Sequence, residues 1–172
     1  MTAMTLADRI RAQPLSAAAF AIAAVAALTL AGAWFFELVL KLEPCPLCLD
    51  QRVPYYIAVP LGIVVGFVSS ERLARLGLAL LGIVMLIGAG YGVYHAGIEW
   101  GFWEGPTACA GGATPPPAGD ILSSLKATQR VVSCSEAAWR FLGLSLAGYN
   151  VLIAGGLAVL AFWTALAHPK NA

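Results

Sequence analysis

Four stretches of this 172-residue chain contain no Asp, Glu, Lys or Arg: 15–36, 53–70, 76–98 and 141–167. An apolar segment of about 18 residues or more can cross a ~30 Å hydrocarbon core as a helix. Inside lipid, only helices and closed barrels satisfy their own backbone N–H and C=O groups. The four segments lack the alternation of barrel strands. They predict an all-α membrane protein: a four-transmembrane-helix bundle in which residues 1–172 form a single membrane domain. Composition agrees, because 60% of the residues are hydrophobic and 11% are charged, against about 25% charged in a soluble domain. A water-soluble globule is excluded.

The first segment also invites comparison with a secretory signal peptide. Arg9 and Arg11 precede it, and Ala31-Gly32-Ala33 resembles a cleavage site. Its uncharged run exceeds the roughly 7–15 residues of a signal-peptide core, so the expectation is a retained helix.

Four spans put both termini on one face of the membrane and the loops 37–52 and 99–140 on the other. All four cysteines, Cys45, Cys48, Cys109 and Cys134, lie in those two loops. The basic residues divide evenly: Arg9, Arg11, Arg72, Arg75 and Lys170 against Lys41, Arg52, Lys126, Arg130 and Arg140. The first set is packed into shorter segments, and the positive-inside rule then predicts cytoplasmic termini. The cysteine loops would face an oxidising compartment, where disulfides persist. Within the second loop, 109–119 is rich in Gly and Pro and reads as irregular. Residues 120–133 carry a candidate N-cap, Asp120, with Ile121, Leu122, Leu125, Val131 and Val132 near helical spacing. This predicts a short helix, either on the membrane surface or packed on the other outer loop.

Chemistry centres on the stretch Glu43–Pro54, EPCPLCLDQRVP. Cysteines three apart near a helix start can meet disulfide geometry, and helix N–H groups there favour a thiolate. Arg52 follows Cys48 by four residues, one helical turn away, where its charge would lower the Cys48 pKa against a modest opposing effect of Asp50. A cation at a membrane mouth is a functional candidate, although a side chain snorkelling to headgroups explains it too. His95, at the outer end of the third segment, has a similar depth and could face a common pocket with Arg52; as an isolated residue it reads as an interfacial hydrogen-bonding group. Asn150 reads as an interhelical hydrogen bond, and the Trp and Tyr residues as an interfacial belt. Four cysteines could also hold a metal or form structural disulfides. Only one pair is closely spaced, whereas structural zinc sites commonly show two. No metal ligand is therefore assigned. No acidic residue or interrupted helix repeat marks a transport path.

Taken together, PCPLC followed by Arg52, YHAGIE at 94–99, Cys109, and CSEAAWRFLGL at 134–144 resemble the bacterial disulfide bond formation protein B (DsbB) family. The resemblance implies a membrane oxidoreductase of the bacterial inner membrane. It would reoxidise a periplasmic thioredoxin-fold thiol oxidase (DsbA-like) and pass the electrons to a membrane quinone, ubiquinone ahead of menaquinone. It implies Cys109–Cys134 as the disulfide attacked by the partner, Cys134 as the thiolate that attacks Cys45, and Cys48 as the thiolate facing the quinone. Arg52 and His95 would lie beside the ring. A related oxidase with a dedicated partner would use the same cysteines, and a metal-binding membrane protein is the remaining alternative.

Overall fold

The computed structural model describes residues 14–106 and 134–167. Cys109 and the expected short helix at 120–133 lie outside the described residues. The architecture is helical throughout: α1 (Pro14–Leu38), α2 (Pro46–Asp50), α3 (Val53–Phe67), α4 (Glu71–Glu99) and α5 (Leu146–Leu166), with a two-stranded hairpin, β1 (Arg140–Phe141) and β2 (Leu144–Ser145), leading into α5. α1 packs on α3, α3 on α4 and α4 on α5, while α5 returns to α1 and closes the bundle.

The core follows from helical spacing. In α4, the buried residues Ala74, Leu78, Leu81, Met85, Gly88, Gly92 and His95 advance in steps of four and three, the seam of a helix packed along its length. One more step reaches Glu99, whose side chain is also buried. In α1 the buried set includes Ala19, Ile22, Ala26 and Leu30, again one stripe. The opposite faces are equally apolar: Leu28, Val64, Leu152 and Val159 are exposed. A helix that is apolar all round belongs in a nonpolar solvent.

In lipid, helices gain little from burying apolar surface against one another and depend on close packing by small residues. Gly62 of α3 illustrates this: a Cβ there would lie 2.9 Å from the Ala19 carbonyl and 3.0 Å from Ala23 Cβ of α1. At the bundle end away from the cysteines, Arg75 of α4 ion-pairs with Glu71 and donates to the carbonyls of Ala165 and Ala167 at 2.7 and 2.6 Å. The N-terminus of α4 thus satisfies the last carbonyls of α5.

The first and third helices extend beyond their expected spans, to Pro14–Leu38 and Glu71–Glu99, and the other two are shorter than expected. The second segment, expected over 53–70, is helical only to Phe67, where Val68 turns to extended backbone and Ser70 starts α4. Its 15 residues make a helix about 22 Å long. Three helices, Pro14–Leu38, Glu71–Glu99 and Leu146–Leu166, are long and apolar enough to cross a membrane. The fourth segment, expected from 141, begins as the hairpin. Leu142 and Gly143 have φ of 49° and 85°, and two positive φ values in a two-residue loop match the right-handed twist of paired strands. Ser145 then caps α5, its Oγ accepting from Gly148 N at 3.2 Å.

Gly62→Leu should lower the unfolding free energy in mild detergent by about 1–3 kcal/mol, the usual cost of overpacking. Gly90→Ala, where an added Cβ meets nothing within 4 Å, should stay within about 0.5 kcal/mol of the parent. Equal losses at both positions would remove the close-packing account.

Candidate functional site

The chain enters the site through Pro44 and Pro46, which end the extended run after α1 and start α2. Pro suits the first helical position because it lacks an N–H that would go unpaired. Cys45 is the N-cap, and its Sγ accepts from Cys48 N at 3.3 Å. The cap geometry brings the two sulfurs to 2.8 Å; both cysteines are free thiols.

The pair is asymmetric. The hydrogen bond between the two sulfurs is the largest influence holding the Cys45 pKa below the ordinary thiol value; burial opposes it, and His95 adds to it. The same hydrogen bond raises Cys48, with burial acting in the same direction. Cys45 is therefore the favoured thiolate. The sequence pointed to Cys48, on the premise that one helix ran from the cysteines through Arg52. In the structure α2 stops at Asp50, and Arg52 sits at the N-cap of α3. Arg52 turns to Glu37 of α1, with Nη1 2.6 Å from Oε2 and only 13% of its side chain exposed. This is an ion pair, not a snorkelling lipid anchor.

Behind Cys45 stands His95, 3% exposed, with Nε2 3.6 Å from the sulfur. Its Nδ1 lies 2.6 Å from Gln51 Nε2. Gln51 Oε1 accepts from Asn150 Nδ2 at 2.6 Å, and Asn150 Oδ1 accepts from the Tyr55 hydroxyl. Asn150 is thus an interhelical hydrogen-bonding residue, as its position suggested, with partners on α3, on α4 through the Gly88 carbonyl, and beside α2. Glu99 Oε1 is 3.9 Å from His95 Nε2, and Glu99 Oε2 is buried without a hydrogen-bond partner among the described residues. Trp103 folds back over the last turn of α4, lying on Gly97 and donating to the Tyr94 carbonyl at 2.8 Å.

Two neighbourhoods flank the dithiol. On one side, Cys134 is fully buried. Its Sγ, Cys45 Sγ and a His95 ring nitrogen all lie within 4.8 Å of one another. These are zinc-type donors, but Cys134 is disulfide-bonded and offers no thiolate, which leaves two such donors. On the other side, a cavity of about 440 Å³ is bounded by Cys48, Arg52, Glu37, Tyr55, Trp139 and Asn150, among mainly apolar neighbours. Cys48 and Arg52 both line this cavity. His95 does not line it; the ring faces Cys45 instead. Gln51, Glu37 and Glu99 were not singled out in the sequence. The heptad step from His95 identifies Glu99, whereas nothing local identifies Glu37 as the partner of Arg52.

In the reduced dithiol, with Cys109 and Cys134 replaced by Ser, thiolate ultraviolet absorbance should rise in two separated steps with pH. The first step lies below the ordinary thiol range: a lowered pKa keeps the thiolate present until pH falls through it. Cys48→Ser, which retains a hydroxyl donor, should keep this lower step, and Cys45→Ser should abolish it. A lower step surviving in Cys45→Ser would reverse the assignment.

A family model described as disulfide bond formation protein DsbB matches residues 16–164. A protein called disulfide bond formation protein B from Marinobacter nauticus is 31% identical over 150 residues, covering 83% of this chain and 86% of its own. Another of that name from Albidiferax ferrireducens is 30% identical, with 82% of each chain covered. An uncharacterized protein, RP370, from Rickettsia prowazekii is 26% identical over 75% of each chain. No solved structure matches.

Proposed function

This chain belongs to the DsbB family of disulfide bond formation proteins, membrane-helical oxidoreductases, and from that premise we propose that it reoxidises a DsbA-like thioredoxin-fold partner and delivers the electrons to a membrane quinone. The observation that carries this reading is the position of the dithiol. Cys45 is within reach of Cys134, while Cys48 borders the apolar cavity that also holds Arg52. One thiol thus faces a protein disulfide and the other a site of small-molecule size, within the roughly 300–1,000 Å³ typical of ligand pockets.

A thiolate of the reduced partner attacks Cys109 in a Cys109–Cys134 disulfide, and Cys134 leaves as a thiolate. Cys134 then attacks Cys45 of a Cys45–Cys48 disulfide, and Cys48 leaves. The partner's second thiolate releases the oxidised partner from Cys109. Cys109 then attacks Cys134, which re-forms their disulfide and leaves Cys45 and Cys48 reduced. A disulfide-bonded Cys134 beside free Cys45 and Cys48 matches that last state.

Oxidising this dithiol removes two electrons and two protons, and a quinone would supply the sink for both. The residues suited to hold it are Arg52, whose guanidinium can donate to a ring oxygen, and the apolar wall including Phe36, Trp139 and Ile153. Glu37 orients the guanidinium. The partner oxidase is itself a strong oxidant at about −120 mV, so a quinone sink supplies the drive that an ordinary dithiol lacks. The topology that fits is four spans in the inner membrane, both termini cytoplasmic, with α2 and Cys134 at the periplasmic mouth.

Purified protein mixed with a reduced thioredoxin-fold dithiol partner and ubiquinone should lower the oxidised-quinone absorbance in a partner-dependent way. Cys48→Ser should abolish quinone reduction while Cys109 still traps the partner as a mixed disulfide. Arg52→Ala should raise the apparent quinone KM by about tenfold, the loss of one charged hydrogen bond. Absence of any partner-dependent quinone reduction would sink the proposal.

A further inference from the structure

Amide side chains have two ends that coordinates alone do not distinguish, so their direction must come from fixed partners. Here two backbone carbonyls supply it. Asn150 Nδ2 reaches the Gly88 carbonyl at 3.4 Å, and Gln51 Nε2 reaches the Leu47 carbonyl at 3.3 Å. Carbonyls only accept, so both amide nitrogens are oriented as donors. Asn150 Nδ2 then donates to Gln51 Oε1, and Gln51 Nε2 donates to His95 Nδ1. A neutral imidazole with Nδ1 accepting carries its proton on Nε2. That nitrogen is the one 3.6 Å from Cys45 Sγ.

We propose that Gln51 and Asn150 are positioning residues that lock His95 in the Nε2–H tautomer, so that its N–H faces the Cys45 sulfur. The proposal deepens the redox reading, because it requires Cys45 to work as a thiolate. The amides hold the ring; they do not carry protons. Tyr55 completes the chain from α3 by donating to Asn150 Oδ1, which leaves the Asn150 amide no freedom to turn over.

The charged and titratable groups around this ring are few among the described residues. Cys45 and Cys48 come from α2 and its cap and Glu99 from α4; Cys134, from the segment before the hairpin, is disulfide-bonded and does not titrate. The α3 cation Arg52 is committed to Glu37 of α1, and α5 contributes only the neutral Asn150. His95 and Cys48 are therefore the hydrogen-bonding side chains that act on Cys45.

Opposite responses to two substitutions at one position separate tautomer control from simple packing. Gln51→Leu removes the donor to Nδ1, frees the ring to turn over, and should weaken the Cys45 thiolate. Gln51→Glu presents a carboxylate that can only accept, which draws a proton onto Nδ1 while Nε2 keeps its own, so an imidazolium faces the sulfur and the thiolate gains. The full-length detergent-solubilised protein in a Cys48→Ser background, with Cys109 and Cys134 also Ser, leaves Cys45 as the only thiol. The midpoint of its thiolate absorbance should move up by about one pH unit in Gln51→Leu, a tenfold loss of thiolate at lower pH. It should move down in Gln51→Glu, and Asn150→Leu should shift it up by a smaller amount. If Gln51→Leu does not fold, Gln51→Glu still decides the matter. An unchanged or raised midpoint in Gln51→Glu overturns the proposal, as do equal shifts in both variants. The readout needs neither partner nor quinone, so a failed turnover assay leaves it standing, and an unresponsive midpoint leaves the redox reading standing.

Discussion

A buried amide or imidazole in an apolar bundle must find a hydrogen-bond partner, and that requirement organises the cysteine end of this molecule. Leaving such a group unpaired costs about 1–3 kcal/mol in a protein interior. Tyr55, Asn150, Gln51 and His95 meet the requirement together, in one chain that starts on α3, passes through α5 and the α2–α3 junction, and ends on α4. Three bundle helices are thereby fixed to the short helix that carries the dithiol. At the opposite end Arg75 ties α4 to the last carbonyls of α5, and between the two ends the helices meet mainly through small residues and apolar side chains.

The dithiol gains its asymmetry from that frame. Two equivalent thiols would share a proton with no preference. Here the N-cap position, the Cys48 N–H and the His95 ring all address Cys45, while Cys48 borders the cavity. The charge therefore collects on the sulfur near Cys134. Thiol–disulfide exchange depends on which sulfur is the thiolate and which neighbour it can reach, so the cap geometry selects the exchange partner as well as the charge. Arg52, which a continuous helix would have placed beneath Cys48, is released from that task by the break at Gln51 and faces the cavity alongside Glu37.

Much of this was legible in the residues. Runs without charge locate every long helix, because a charged side chain in lipid is too costly to hide. They overrun two helices because an apolar residue does not reveal backbone conformation: Phe141 and Leu142 read as lipid-facing, yet Leu142-Gly143 makes a turn. Cysteine spacing and the four-residue step singled out Cys48 and Arg52, but through a continuous helix that the structure breaks at Gln51. The tilt of charge toward Cys45 was hidden, since it depends on α2 ending at Asp50, a boundary set by tertiary packing. Asn150 was readable as an interhelical hydrogen bond, but its link to Gln51, 99 residues away in the chain, was not, because local pattern carries no information about distant partners.

Glu99 follows from the same logic. It continues the buried seam of α4 one step beyond His95, and one carboxylate oxygen has no partner among the described residues. A buried carboxylate oxygen without a hydrogen bond is costly, so the neighbours of the other oxygen matter. His95 Nε2 is 3.6 Å from Cys45 Sγ and 3.9 Å from Glu99 Oε1, so the ring nitrogen stands within reach of both groups. A disulfide sulfur carries no charge and accepts weakly. The acceptor that Cys45 offers to Nε2 therefore depends on its redox state, whereas oxidation of that sulfur leaves Glu99 in place beside the ring.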